Sequence, residues 1–186
     1  MKVKHKVFLV CISAALIAGC SRVTSIKYYD IHNFGEVTKL VHSNEILNIT
    51  LPPSLMGQQM EYLLNEHSNN KIIYTNYHLW NKPLFESMNK ILLSELNIKK
   101  RIIAPLNFME INITIKNFAL SNKRLAILSG DESICFKNKL IFSQKFSFTS
   151  PIKDNSYQSG VYSLSKNLFN LAKYTNSNIN KISYFQ

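Results

Sequence analysis

The side chains that could act as nucleophiles, general bases or metal ligands are scattered along the chain. The histidines after residue 20 are isolated, so none forms the i, i+4 pair of a zinc-binding helix; they are His32, His42, His67 and His78. The acids Asp131 and Glu132 lie in LSGDES, which is typical of a turn, whereas the two carboxylates of a glycosidase must flank a cleft. No Gly-x-Ser-x-Gly motif and no glycine-rich phosphate loop is present. The pattern favours a protein that is not an enzyme and that binds no metal, and a hydrolase built from scattered residues is an alternative.

The N-terminus has the three parts of a secretory signal peptide. Lys2, Lys4 and Lys6 form a basic region, an apolar run covers residues 7–17, and small residues precede Cys20. The apolar run is too short to cross a bilayer as a permanent helix. We therefore expect residues 1–19 to be removed on export.

The end of this segment, IAGC, resembles the lipobox of bacterial lipoproteins. The resemblance implies that Cys20 becomes the first residue and carries covalent lipid, palmitate included, on its sulfur and its amino group. Several acyl chains, at ~0.8 kcal/mol per buried CH₂, hold a protein on a membrane where one chain does so only marginally. Ser21, in place of an aspartate, implies export to the outer membrane, so the resemblance predicts a lipid-anchored protein on its periplasmic face.

Residues 20–25 are predicted to be the lipidated cysteine and a short tether, and residues 26–186 a single domain. The five residues after Cys20 reach at most ~17 Å, at ~3.4 Å each, so the domain is expected to sit against its membrane. Removing 19 of the 186 residues leaves 167, which is enough to bury a core. Cys135 is then the only other cysteine, so no internal disulfide can form. It is expected to be a small buried strand residue, with a nucleophile or an intermolecular bridge as alternatives.

The chain is basic, and its charge bears on its partners. The formal charge of +11 falls to +8 without Lys2, Lys4 and Lys6. An exported, lipid-anchored protein does not meet the chromosome, so phospholipid or lipopolysaccharide head groups are the expected anionic neighbours. Lysine outnumbers arginine 19 to 3 and no dense basic cluster occurs, which predicts a solvated surface and no nucleic-acid partner.

Hydrophobic periodicity predicts a series of strands. The segments IKYYDIHNF, EILNITLPP, QQMEYLL and KIIYT each have strand character. Met109, Ile111, Ile113 and Ile115 alternate with polar residues, which predicts a strand with one buried face. KRLAILSGDESICF and KLIFSQKFSF follow as antiparallel partners, joined by KN and similar short turns.

Two amphipathic helices are predicted as well. Asn81 is placed as the N-cap of the first helix and Pro83 in its first turn, ahead of apolar residues at helical spacing: Leu84, Met88, Ile91 or Leu92, and Leu96. The second helix follows PIKDNS and has the apolar stripe Tyr157, Val161, Leu164, Leu168 and Leu171. The predicted fold class is α+β, a single compact domain with a mostly antiparallel sheet and two helices packed on one side.

The only tryptophan, Trp80, lies in HLWNKPLFESMNKILLSEL at the entry of the first helix, where an aromatic side chain commonly packs. Together with YYDIHNF, NITLPPSL, FMEINITIKNF and DNSYQSGVYSLSKNL, this stretch is similar to the ABC-type transport auxiliary lipoproteins, the PqiC-like (YmbA-like) family. Leu79, Lys82 and Gly57 depart from the family pattern. The residues that match it are Leu51, Pro52, Leu55, His78, Trp80, Pro83 and Leu84.

The family resemblance implies a role that the residues alone do not show. It implies a non-catalytic, outer-membrane-anchored lipoprotein that assembles as a homo-oligomeric ring and needs no cofactor beyond the lipid on Cys20. Its implied partner is an MCE-domain protein that is anchored in the inner membrane and spans the periplasm as a lipid conduit. It also implies that Trp80 fixes the helix entry against the sheet. The alternative is a structural lipoprotein that supports envelope or secretion-system assembly.

Overall fold

The computed structural model describes residues 25–32, 45–66, 69–96 and 109–183. The strands are β1 (Lys27–Tyr29), β2 (Glu45–Thr50), β3 (Gln59–Glu66), β4 (Asn69–Trp80), β5 (Met109–Ser121), β6 (Leu125–Phe136) and β7 (Lys139–Pro151). The helices are α1 (Leu84–Glu95) and α2 (Tyr157–Ser183), and a short 3₁₀ turn (Pro53–Leu55) follows β2.

The seven strands of the described ranges form one sheet. Six of them follow in the order β1-β4-β3-β5-β6-β7, and β2 lies off this path and pairs with β5. The hairpins β3–β4, β5–β6 and β6–β7 are antiparallel. β2 and β3 both run parallel to β5 and share one of its edges, β2 along residues 109–114 and β3 along residues 119–121. β1 is an outer strand, parallel to the last three residues of β4.

The periodic pattern of β5 determines which face of the sheet is covered. Ile111, Ile113 and Ile115 are buried, and the residues between them are only partly covered. Alternate residues of a strand point to opposite faces, so the isoleucines face the helices and the polar residues face the other side. We call that other side the open face. The structure confirms the predicted α+β class.

Local backbone geometry explains how the two long hairpins are built. A Cβ atom on Gly130 of β6 would lie 2.0 Å from the carbonyl oxygen of Thr114, so β5 approaches too closely there for any side chain. The pairing of β5 and β6 is irregular beside this point, between Ile115 and Asn117. The β6–β7 turn has Lys137 and Asn138 at φ 49° and 60°, the left-handed pair of a type I′ hairpin turn.

The helices cover the isoleucine face of the sheet. α2 packs on β5, β6 and β7, and α1 packs on α2 and β2. The predicted stripe of α2 is buried from Val161 to Leu171, and Leu84, Met88 and Leu92 of α1 join the same hydrophobic core. A Cβ atom on Gly160 would lie 2.8 Å from a methyl group of Leu120, which shows how closely the first turn of α2 approaches β5.

Two sequence predictions about local structure are wrong. Asp131 and Glu132 do not form a turn; they lie within β6, opposite Thr114 and Ile113. The Asp131 carboxylate pairs with Lys116 on the open face, while Glu132 is buried under α2. Strand pairing on both sides of β6 supplies the backbone hydrogen bonds that a turn would otherwise provide.

Asn81 is not the N-cap of α1, because Pro83 occupies that position with an extended ψ of 132°. The Asn81 amide instead donates to the carboxylate of Asp30, and its main-chain N–H donates to the Tyr29 carbonyl at 2.8 Å. Asn81 therefore joins β1 to the end of β4. β1 itself ends at Tyr29, and Asp30, Ile31 and His32 of the predicted strand IKYYDIHNF do not belong to it; the last two residues of that segment lie outside the described residues.

Candidate functional site

Three aromatic side chains from distant parts of the chain meet at one end of the domain. The ring of His78 stacks on the ring of Tyr157, with centroids 3.6 Å apart and planes 11° apart. The hydroxyl of Tyr29 is hydrogen-bonded to Nδ1 of His78 at 3.0 Å. We call these three residues the aromatic cluster. It joins the outer strand β1, the end of β4 and the first turn of α2.

Strand register and a helix cap position the aromatic cluster. β1 and β4 are parallel, with Lys27 beside His78 and Tyr29 beside Trp80, so the three side chains Tyr29, His78 and Trp80 share one face. Ser156 is the N-cap of α2, because its hydroxyl accepts from the Ser159 N–H at 3.1 Å. This cap places Tyr157 at the first helical position, directed at His78.

Asp154 holds the Ser156 cap in place. Its carboxylate accepts hydrogen bonds from the Ser156 hydroxyl at 2.5 Å and from the Ser156 N–H at 2.8 Å. Those two bonds lower the pKa of Asp154 below its ordinary value. The Asp-x-Ser-Tyr order in DNSY is therefore a local device that starts the helix and places the tyrosine.

The electrostatics of the aromatic cluster keep it uncharged at neutral pH. Burial lowers the pKa of His78 and the nearby Lys27 ammonium lowers it further. Burial also raises the pKa of Tyr29, and burial together with Tyr62 and Tyr29 raises that of Tyr157. A neutral imidazole that stacks on one phenol and hydrogen-bonds another forms a cross-link between strand and helix.

Two depressions flank the aromatic cluster. One, of about 320 Å³, lies between β3, the β5–β6 turn and the start of α2, and its lining includes Tyr62, Arg124 and Tyr157. The guanidinium of Arg124 donates to the Lys153 carbonyl at 2.8 Å, so it holds the loop before α2. The other, about 670 Å³ and open to solvent, is lined by residues of β1 and by His78 and Tyr157. Across the four described ranges, no three His, Cys, Asp or Glu side chains come together as a metal site requires.

Trp80 lies two residues from His78 but in the core. It is 2 % exposed, and its ring lies 5.7 Å from that of Phe118 on β5. Its main-chain N–H donates to the Gln58 carbonyl at 2.7 Å. It therefore packs where β4 ends and α1 is about to begin.

The remaining residues of the sequence motif divide between core and surface. Leu51, Leu55 and Leu84 are buried in the same hydrophobic cluster as Trp80. Pro52 precedes the 3₁₀ turn and is partly covered, and Pro83 is exposed at the start of α1. The structure thus places four of the motif residues, Leu51, Leu55, Trp80 and Leu84, in one hydrophobic core. Cys20, the predicted lipidation site, lies outside the described residues, as do His42 and His67.

Buried polar side chains under α2 were not recognised as such in the sequence. The Asn167 amide donates to the carbonyls of Ala126 and Phe148 at 2.9 and 3.3 Å and accepts from the Ser150 hydroxyl at 2.6 Å. The Asn178 amide donates to a carboxylate oxygen of Glu132 at 2.8 Å. Burial raises the pKa of Glu132, while Thr175 and Asn178 act in the opposite direction. The sequence signal for these buried groups is Asn167, which lies within the apolar stripe of α2.

Cys135 differs from its prediction. It lies in β6 as expected, but it is only partly buried because it points to the open face, beside Glu110 and Leu140 of the neighbouring strands. Neither α1 nor α2 covers the open face at this position, so Cys135 is covered only by its neighbours on the adjacent strands.

Comparisons with known proteins give similarity in fold. No family model matches the chain, and no curated protein matches it. A crystal structure of an uncharacterized protein matches 83 % of this chain and 99 % of its own length, with a TM-score of 0.70 at 15 % identity. A crystal structure of a Xanthomonas campestris protein, assigned to the family model DUF330, matches 80 % of this chain and 92 % of its own length, with a TM-score of 0.66 at 7 % identity. At these identities the matches show a shared fold.

Neither helix among the described residues has the length and apolarity to cross a bilayer.

Proposed function

We propose that this protein is an outer-membrane-anchored, non-catalytic auxiliary lipoprotein of an MCE-type intermembrane lipid transport system. The observation that carries the proposal is an agreement between two independent likenesses. The motif order from residue 28 to residue 168 resembles the PqiC-like family, and the fold resembles a protein of DUF330, the family model for PqiC-like proteins.

The proposed anchor explains what such a domain can do. Acylation at Cys20 would keep the domain within ~17 Å of its bilayer, since only five residues separate the cysteine from residue 26. A domain on so short a tether does not cross the periplasm, so its partner has to extend to it from the inner membrane. The proposed partner is therefore an MCE-domain protein that docks on this lipoprotein.

A ring of copies would suit this role. Several weak contacts act together when the binding sites are held in one assembly, because each further contact forms at a high effective concentration. The fold offers a rigid platform for such contacts, with one continuous core and polar clamps from Asn167 and Asn178 that fix α2 on the sheet.

Copurification from gently solubilised envelopes tests the proposal. Tagged wild-type protein is expected to enrich an MCE-domain protein and to run as an oligomer in light scattering. The matched control is Cys20→Ala, which keeps the folded domain and should lose both acylation and the enrichment. A wild-type protein that is acylated and monomeric and enriches no such partner would contradict the proposal and favour a structural envelope lipoprotein.

A further inference from the structure

The outer edge of the sheet, formed by β1 and β4, exposes large apolar and aromatic side chains. Tyr28 is 57 % exposed and Tyr74 is 40 % exposed, and Ile26 and Ile72 are similarly exposed. We call these four residues the edge patch.

Register places Tyr28, Ile72 and Tyr74 on the open face, and Ile26 immediately precedes β1. Tyr28 alternates with Lys27 and Tyr29, and Tyr29 faces the helices through the aromatic cluster, so Tyr28 points the other way. Tyr74 of β4 pairs with Glu61 of β3, and Glu61 pairs with Ala119 of β5. The next residue of β5, Leu120, faces the helices, so Ala119 and the residues paired with it, Tyr74 included, face the other side. Ile72 lies two residues before Tyr74 and shares its face.

Both strands that carry the edge patch are free of acidic residues. Their only permanently charged side chains are the exposed lysines Lys27 and Lys71. The exposed carboxylate at this end, Asp30, accepts from the amide of Asn81. Tyrosine and isoleucine beside lysine match the interface of a bilayer, where phenol rings lie at head-group level and ammonium groups meet anionic lipid.

The N-terminus of the domain is adjacent to the edge patch. The described chain begins at Ser25, and Ile26 and Tyr28 follow at once. If Cys20 carries the acyl chains, the bilayer surface is within ~17 Å of the first strand. A segment this short gives the edge patch a high effective concentration of bilayer surface, so a weak interfacial contact suffices.

We propose that the edge patch lies on the phospholipid surface to which the protein is anchored. Lys27 and Lys71 alternate with the patch residues, so their long side chains meet anionic head groups at the rim of the contact, around the exposed edge of the sheet. This rests on the proposed function, because the anchor at Cys20 sets the distance. The contact fixes the orientation of the domain. β7, at the opposite end of the strand order, is then the strand furthest from the contact and is left accessible to a partner that arrives across the periplasm.

Hydroxyl-radical footprinting of the full, membrane-produced lipoprotein tests the contact. The protein is reconstituted in phosphatidylethanolamine–phosphatidylglycerol vesicles at less than one copy per vesicle, so that a second copy does not cover the edge patch. Tyr162 on α2, in the layer on the other face of the sheet, is the internal reference because it is 48 % exposed. From exposure alone Tyr28 should oxidise at least as fast as Tyr162. Contact with the bilayer predicts the reverse, with Tyr28 at least about threefold slower, and Tyr28 oxidised as fast as Tyr162 would overturn the proposal.

A pair of double variants separates this surface from a general effect of exposed apolar residues. Ile72→Asn with Tyr74→Asn should raise the oxidation of Tyr28 to the level of Tyr162. Leu140→Asn with Ile141→Asn, at similarly exposed positions on β7, should leave the Tyr28 protection in place. Equal effects of the two double variants would overturn the proposal. If either variant fails to fold, as judged by circular dichroism, the wild-type footprint decides.

Two further readouts identify other causes. Protection of Tyr28 that appears only at several copies per vesicle would indicate a second copy of the chain and would overturn the lipid contact. Mass spectrometry of the N-terminal peptide reports acylation in the same sample. An acylated protein with an unprotected edge patch would refute the contact and leave the anchor intact, whereas a protein without acyl groups would refute both.

Discussion

Truncation of Trp80 is expected to be among the most destabilising changes in the domain. The side chain is 2 % exposed and packs against Phe118 at the junction of β4, β5 and α1. Trp80→Ala removes the ring and leaves a cavity in the middle of this junction. The main-chain bond from Trp80 to Gln58 is retained, so the change tests packing alone.

Two estimates of the cost agree. A buried aromatic side chain covers ~150–250 Å², which at ~25 cal/mol per Å² corresponds to ~4–6 kcal/mol for the whole side chain. Because alanine keeps the Cβ, the loss is somewhat smaller, and measured truncations of large aromatic residues cost ~3–5 kcal/mol. We therefore expect Trp80→Ala to lower the free energy of unfolding by ~3–5 kcal/mol.

Trp80→Phe provides a graded control. Among the described residues the buried Trp80 Nε1 has no hydrogen-bond partner, so phenylalanine loses area but no hydrogen bond. Removing an unsatisfied donor offsets part of the lost packing, and we expect a cost of ~1–2 kcal/mol. Tyr77→Ala on the same strand removes an exposed ring and should change stability by less than ~0.5 kcal/mol.

Urea unfolding of the chain from Ser21 onward, followed by circular dichroism, measures these differences. If Trp80→Ala unfolds the domain outright, the ranking of Trp80→Phe against Tyr77→Ala still tests the reasoning. A Trp80→Ala variant with less than ~1 kcal/mol of destabilisation would refute the packing argument. Unchanged melting together with lost partner binding would place Trp80 on an interface instead.

Three further predictions concern the anchor and the polar clamps. Cys20→Ala should leave the protein unacylated and absent from the washed outer-membrane fraction, and its retention there would count against lipidation at this residue. Asn167→Ala should cost ~2–4 kcal/mol in urea unfolding, because two buried carbonyls and the Ser150 hydroxyl lose their partner; a cost below ~1 kcal/mol would show that water replaces the amide. Burial raises the pKa of Glu132 above the 4.5 of a free glutamate, so the folded state holds a proton that the unfolded chain has lost, and stability falls as pH rises from 4.5 through the raised folded value. Glu132→Gln should flatten this fall in pH-dependent urea unfolding, whereas an unchanged slope would place the effect elsewhere, as at Glu61, whose pKa burial also raises.

Periodic segments were the part of the fold that the sequence could predict. β5 repeats its apolar residues through Met109, Ile111, Ile113 and Ile115, and α2 repeats its own over four turns, so each pattern is complete within one segment. The sequence predicts only the KIIYT part of β4, which extends from Asn69 to Trp80. An outer strand that is exposed on both sides, as at Ile72 and Ile73, shows no alternation that would mark its length.

Long-range contacts determine the features of the fold that the sequence does not predict. The local sequence around Glu132 is typical of a turn, because the partner that holds it in the buried layer, Asn178, lies 46 residues further along the chain. His78 has no partner nearby in the sequence, because Tyr157 is brought to it only by the start of α2. Asn81 has the local preference of a helix cap, but in the fold its amide binds Asp30 instead. In each case the sequence shows a correct local preference, and a distant partner that no local pattern reveals decides the outcome.

Crosslinking within intact envelopes tests the docking claim most directly. A photoreactive phenylalanine analogue is placed at Phe85 on α1, Tyr162 on α2 or Leu140 on β7, which are exposed positions outside the edge patch. The crosslinked products are identified by mass spectrometry, with the same substitutions in a Cys20→Ala background as the control. We expect a crosslink to an MCE-domain protein from at least one position, and its loss in the control. Crosslinks confined to outer-membrane structural proteins, with an oligomer absent and no MCE-domain protein at any position, would contradict it.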